Sequence, residues 1–202
     1  RDDVENLIRL LSRHNGAHNK EHYYRVRSQN PARMSGTARA ARLIYLNRTC
    51  FNGLYRVNAR GRMNVPWNRG TTSKWPTEAD MLSVARALAN VEVRHCEWTE
   101  ALADVPDGAT IYADPPYENH FDGYGRKWEG SDHDRLADRL RCLATDGVRV
   151  IASQPDAEGS HRRYGGWCRA IPVAVRHTVA RKAESRGVRG EVLFVAGDVK
   201  SR

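Results

Sequence analysis

The stretch "TIYADPPYENHFD", Thr110 to Asp122, joins an apolar run to an aspartate, two prolines and a tyrosine. The run reads as a buried strand. The prolines end it, because each fixes φ, removes a backbone donor and pushes the preceding residue out of helical geometry. In open α/β sheets ligands bind in the crevice beyond the carboxyl ends of the strands, which is where Asp114 falls. A stiff turn there holds Asp114 as an acceptor, turns proline carbonyls toward the crevice and presents Tyr117 as a flat stacking surface. A planar ligand with an exocyclic amino group fits those parts. For a tetrapeptide taken alone, a proline-stiffened loop with a surface tyrosine is an equal alternative.

Outward from this stretch the chain alternates strand and helix. "VEVRHC" from residue 91 reads as a short strand, "TEALADV" as a helical turn, "SDHDRLADRLRCLATD" as a helix and "VRVIAS" as a further apolar strand. The helix is expected to start at Ser131, with Asp134 completing a capping box, and to bury Leu136, Leu140 and Leu143. Short apolar strands alternating with amphipathic helices predict an α/β domain with a mainly parallel sheet. "AIPVAVRHTV" and "GEVLFVAG", joined by the basic linker "ARKAESRGVR", predict an antiparallel pair at the sheet edge.

Upstream the pattern differs. "DDVENLIRLLSRHN" places Val4, Leu7, Ile8 and Leu11 at helical spacing, "HNGAHNKEHYY" reads as a polar loop, and "GTARAARLIYLNR" as a second helix with Ala38, Ala41, Ile44 and Tyr45 on one face. Residues 49–76 mix Asn, Gly, Arg, Pro and aromatics without helical period; "NARG" is a credible turn between "LYRV" and "RMNV". "EADMLSVARALAN" is again an amphipathic helix. Residues 1–90 thus form a helical and hairpin region, and 91–202 the α/β part.

The 202 residues suffice for one sizeable core, or one core with an appendage. A net charge of +9, carried mostly by arginine, points to a polyanionic partner. Cys50, Cys96, Cys142 and Cys168 are scattered, with neither the paired spacing of a zinc site nor the density of a disulfide framework, so no metal is expected and a reducing, cytoplasmic setting fits. No long apolar run predicts membrane insertion.

"ADPPY" after an apolar strand resembles the catalytic motif of amino-directed DNA methyltransferases. "YLNRTCFNGLYRVNARGRMNVPW" resembles the target-recognition segment of the Dam-like (D12 class) adenine-N6 methyltransferases. The two stand in the family's order, and the resemblance extends from the opening helix to the final strand pair. It implies a SAM-methyltransferase-like, Rossmann-like fold with a small helical and hairpin DNA-recognition subdomain. It also implies methyl transfer from S-adenosylmethionine (SAM) to an adenine flipped out of double-stranded DNA, in a bacterial or phage-encoded protein of the restriction-modification or DNA-methylation kind. By resemblance the catalytic residues are Asp114, Pro115, Pro116 and Tyr117: Asp114 and the Pro115 carbonyl hold the amino group, Tyr117 stacks on the ring, and Asp114 also borders the cofactor. Phe51 and Asn52 carry over as residues wedged into the gap left in the duplex. Leu54, Arg56 and Pro66 carry over as base contacts, with a GATC-like site preferred, since an arginine can read guanine O6 and N7 together. Arg60, Arg62, Arg69 and Lys74 are phosphate contacts or ordinary solvated charges.

Other residues carry weaker readings. His120 is better read as a loop histidine than as an acid or base, and the five tryptophans as packing groups. Glu97 lies where the family approaches the cofactor adenine, although a surface glutamate fits as well. Ser153-Gln154 departs from the family's Ser-Asn after that strand. The family's glycine-rich turn and ribose-binding acid do not occur; "GVRG" at 187–190 reads as a turn, and Asp2 and Asp3 as helix N-terminal residues. The sequence therefore resembles a member lacking its first βαβ unit, to be completed by a further N-terminal segment or a second chain. The alternative function is a non-catalytic remnant that binds DNA through its hairpin.

Overall fold

The computed structural model describes residues 1–69, 75–117, 128–177 and 187–197. The chain divides into two compact units, Arg1–His95 and Cys96–Arg202.

The first unit is helical. Helix α1 (Val4–Gly16) buries Leu11, and Asp3, at its N-cap position, accepts from Asn6 and Thr37 side chains rather than from the helix backbone. Helix α2 (Lys20–Ser28) occupies part of the segment expected to be a polar loop. Asn19 caps it by accepting from the His22 amide at 2.7 Å, and Tyr23 and Val26, three residues apart, face inward. Helix α3 (Gly36–Thr49), capped by Ser35, buries Ala41, Tyr45 and Leu46. Helix α4 (Glu78–Ala87) starts with a capping box in which Thr77 and Asp80 satisfy each other's amides. Tyr23, Val26, Tyr45, Leu46, Cys50, Met63 and Val65 form one core, with Trp67 and Trp75 packed against it. His14 stacks on Tyr45 at 4.8 Å, and His22 meets the same ring edge-on at 5.2 Å.

In the second unit the short helix α5 (Trp98–Ala101) precedes strand β1 (Thr110–Ala113), helix α6 (Gly130–Thr145), strand β2 (Arg149–Pro155), helix α7 (Glu158–Tyr164), and strands β3 (Arg169–His177) and β4 (Gly187–Ala196). The sheet order is β1-β2-β4-β3. It is a mixed α/β fold with an open sheet. Only β1 and β2 are parallel; β2–β4 and β4–β3 are antiparallel. The expectation of a mainly parallel sheet is therefore met by one pairing alone among the described strands, whereas the antiparallel C-terminal pair is present. Residues 91–96, expected as a strand, make no ladder, and Val91 and Val93 stand exposed because no described strand lies beside them. Residues 187–190 are not a turn but the first residues of β4, paired with 174–177 of β3. Most of the basic linker lies outside the described residues.

The register explains what the sheet faces do. Val150 and Ala152 of β2 share a face with Phe194 and Val192 of β4, and there Leu136 and Leu140 of α6 and Tyr164 of α7 close the core. Phe194 and Tyr164 stack with centroids 5.1 Å apart. Helix α6 begins one residue before the expected start, at Gly130. Its first turn is closed by the Asp132 carboxylate accepting from the Glu129 amide at 3.2 Å, while Asp134 instead accepts from Arg163 of α7. Leu136, Leu140 and Leu143 are buried as expected.

Candidate active site and nucleic-acid interface

In the second unit β1 ends at Ala113 opposite Ala152, whereas the parallel β2 runs on through Ser153 to Pro155, so Asp114 leaves β1 beside the continuing end of β2. The turn that follows is stiff. Asp114 is exposed, Pro115 is buried, and Pro116 and Tyr117 are half-buried. Tyr117 is hydrogen-bonded through its side chain to Ser153 and Glu191. Those two partners share a sheet face: Ser153 pairs with Leu193 and Pro155 with Glu191, so they are diagonal neighbours on adjacent strands. Burial raises the Tyr117 phenol pKa first; the Ser153 bond lowers it, and the charges of Glu191 and Asp114 raise it again. The phenol therefore stays protonated and neutral at physiological pH. Neither Ser153 as a tether nor Glu191 was singled out in the sequence. Their proximity to Tyr117 is set by strand register, which a local motif does not carry.

Below Ser153, Gln154 is buried, and its Nε2 has no hydrogen-bond partner among the described residues. Asp156 is held by two bonds, its amide donating to the Gly190 carbonyl at 3.0 Å and its carboxylate meeting His161 Nε2 at 2.8 Å, and a Cβ at position 190 would press closely on its side chain. Glu97 is exposed at the start of α5. Trp98, Trp128 and Trp167 pack against the core of this unit, as expected of packing groups. His120 lies outside the described residues.

In the first unit the segment after α3 is folded back on itself by bridges between Cys50 and Trp67 and between Val57 and Met63. The expected turn is present: the Asn58 side chain accepts from the amides of Arg60 and Arg62, and Gly61 takes the left-handed conformation at φ 68°. Alternation then sorts the side chains. Met63 and Val65 point into the core, whereas Arg62 and Pro66 are exposed and Asn64 half-buried. The Val65 carbonyl accepts from both the Tyr23 hydroxyl and Arg27, each at 2.8 Å, which anchors the returning arm.

Phe51 is half exposed, and Asn52, also left-handed at φ 53°, turns the chain beside it. Leu54 and Tyr55 extend this exposed apolar ridge. Arg56 is exposed, and its Nε donates to Asn64 Oδ1 at 2.8 Å. The structure thus gathers Phe51, Asn52, Leu54, Arg56 and Pro66 on one folded segment, with the apolar members uncovered rather than packed. Arg60 and Arg62 lie exposed at its turn, and Arg69 is exposed beyond it. Lys74 lies outside the described residues.

Residues 1–168 match the profile of the D12 class N6 adenine-specific DNA methyltransferases. The chain belongs to this family. It is 31% identical to a type II methyltransferase of Lactococcus lactis subsp. cremoris over 96% of its own length and 72% of that protein's. It is 36% identical to a type II methyltransferase of Methanocaldococcus jannaschii over 66% of its length and 50% of the relative's. A DNA adenine methylase of Haemophilus influenzae is 26% identical over 90% of this chain and 65% of its own. The chain thus spans between half and about three quarters of these relatives. Among the described residues no helix is long and apolar enough to cross a membrane.

Proposed function

We propose that the protein transfers a methyl group from SAM to N6 of an adenine extruded from duplex DNA, at a GATC-like site. On this reading unit Cys96–Arg202 carries the chemistry and unit Arg1–His95 the target recognition. The observation that supports it most is the Asp-Pro-Pro-Tyr turn at the carboxyl end of β1, with Asp114 exposed and Tyr117 tethered beside β2.

Adenine N6 is a weak nucleophile because its lone pair is delocalised into the ring. Asp114 and the Pro115 carbonyl accept the two amino hydrogens, localising that lone pair and fixing the direction of attack through orientation and electrostatics. Tyr117 stacks on the ring, returning about 1–3 kcal/mol against the few kcal/mol that extrusion costs. The exposed Asp114 carboxylate is the one residue of this set that also suits the cationic methionine end of SAM. SAM, when bound, supplies the electrophilic methyl.

In the recognition segment Phe51 and Asn52 fill the gap in the duplex, Leu54 and Pro66 offer apolar contacts to base edges, and Arg56 reads a guanine in the major groove. Arg60, Arg62 and Arg69 meet phosphates, which position without specifying.

The test is Asp114→Ala in the full-length protein, assayed for methyl incorporation into duplex DNA and, separately, for DNA binding. Transfer is expected to be lost while binding stays within about twofold. Retained transfer would refute the mechanism.

A further inference from the structure

We propose that Asn64 is a positioning residue for sequence readout: it locks the Arg56 guanidinium so that only the outer edge of the fork is offered to DNA. The proposal rests on the reading of Arg56 as a guanine contact and adds a requirement to it.

Arg56 and Asn64 are joined twice. The Asn64 amide donates to the Arg56 carbonyl at 3.1 Å, and Arg56 Nε donates to Asn64 Oδ1 at 2.8 Å. The neighbouring Val57–Met63 bridge puts the two residues directly across the hairpin, so the backbone bond fixes the acceptor relative to the stem of the arginine it orients. Since Nε is only a donor, it must face the amide oxygen and not the nitrogen of Asn64.

Two consequences follow for the guanidinium. Rotation about its last bonds is restrained, so less side-chain freedom is lost when it docks. With Nε occupied, the two terminal nitrogens remain as a parallel pair of donors, the arrangement that matches guanine O6 and N7. An unrestrained arginine on an exposed hairpin could instead turn either edge to a nearby phosphate and contribute affinity without selectivity. Asn64 is half-buried beside the buried Met63 and Val65, and the Val65 carbonyl is held by Tyr23 and Arg27, so the acceptor is tied to the core of the unit.

The experiment measures binding of the full-length protein to three duplexes: the target, the same target with 7-deazaguanine in place of the guanine, and an unrelated sequence. Asn64→Ala, Asn64→Asp, Arg56→Ala and the Arg56→Ala/Asn64→Ala double variant are compared with the parent. The parent should prefer guanine over 7-deazaguanine by roughly tenfold, within the range of a good bidentate contact. Asn64→Ala should reduce that preference to about twofold with binding to the unrelated duplex unchanged. Asn64→Asp, which keeps the acceptor, should preserve the preference, and the double variant should bind no worse than Arg56→Ala. An Asn64→Ala variant that weakens all three duplexes equally makes Asn64 a sequence-independent contact to the DNA backbone and overturns the proposal. Additive losses in the double variant overturn it as well. If Arg56→Ala leaves the guanine preference intact, the underlying reading of Arg56 fails, and that result is distinct from the other two.

Discussion

The side chain of Tyr117, at the end of the β1 turn, is hydrogen-bonded to that of Ser153 on β2. The bond holds the ring at the strand end, so its hydroxyl and its π-face have separable tasks. Tyr117→Phe keeps the face and loses the hydroxyl's bonds to both Ser153 and Glu191; methyl transfer should fall about 5–100-fold, in line with two hydrogen bonds. Tyr117→Ala should fall further, because the stacking contribution of about 1–3 kcal/mol goes too. Equal losses in the two variants, measured as kcat on one duplex, would mean that the ring does not stack on the base.

Asp134 and Arg163 join α6 to α7 at 2.6 Å. The bond from Arg163 holds the Asp134 carboxyl below its ordinary pKa, so the folded state gives up this proton-free form less readily than the unfolded chain. The stabilisation is present above the unfolded carboxylate pKa of about 3.9 and is lost as pH falls through the lower folded value. Because Asp134 is about half exposed, we expect only ~0.5–1 kcal/mol from the pair at neutral pH. Asp134→Asn should therefore lower the urea midpoint at pH 7, and by progressively less as pH falls below about 3.9.

His14, His18 and His22 surround Tyr45, and burial pushes all three below the usual imidazole pKa; His22 lowers His14 further, and Arg25 lowers His22. The unfolded chain then takes up protons more readily than the folded one. Stability from this cluster is present above about pH 6.5 and is lost as pH falls through the lower folded values. Urea midpoints should drop between pH 7.5 and pH 5, and His14→Gln should flatten that slope. A slope untouched by the substitution would place the titration elsewhere.

Phe194 is fully buried between β2 and α7, stacked on Tyr164. Phe194→Ala should cost about 3–5 kcal/mol, the range for deleting a buried aromatic. Phe194→Leu, which retains most of the volume, should cost under half of that. Thermal melts of the two variants give the ranking.

The parts of the fold legible in the sequence are those written in local chemistry. The strand-ending prolines, the leucines of α6 and the Asn58–Gly61 turn each satisfy a rule within a few residues, and each is present. Helix α2 was hidden because "KEHYYRVRS" has few apolar residues, and one of its buried side chains is His22. Apolar character misled at "VEVRHC", since a strand needs a neighbour and the described residues provide none. The tethering of Tyr117 by Glu191 was out of reach: it depends on β4 inserting between β2 and β3 in one register, across a long separation in sequence.

The anchoring of the Val65 carbonyl by Tyr23 and Arg27 bears on how this protein can change over generations. Both bonds end on backbone, and Met63 and Val65 supply the inward side chains, so the anchoring of the returning arm does not depend on the outward side chains of Leu54 and Pro66. If the proposed function holds, substitutions at these two positions can alter base contacts while the arm stays anchored. New target preferences are thereby open to selection by single steps, while the Asp-Pro-Pro-Tyr turn lies in a separate unit with its own core.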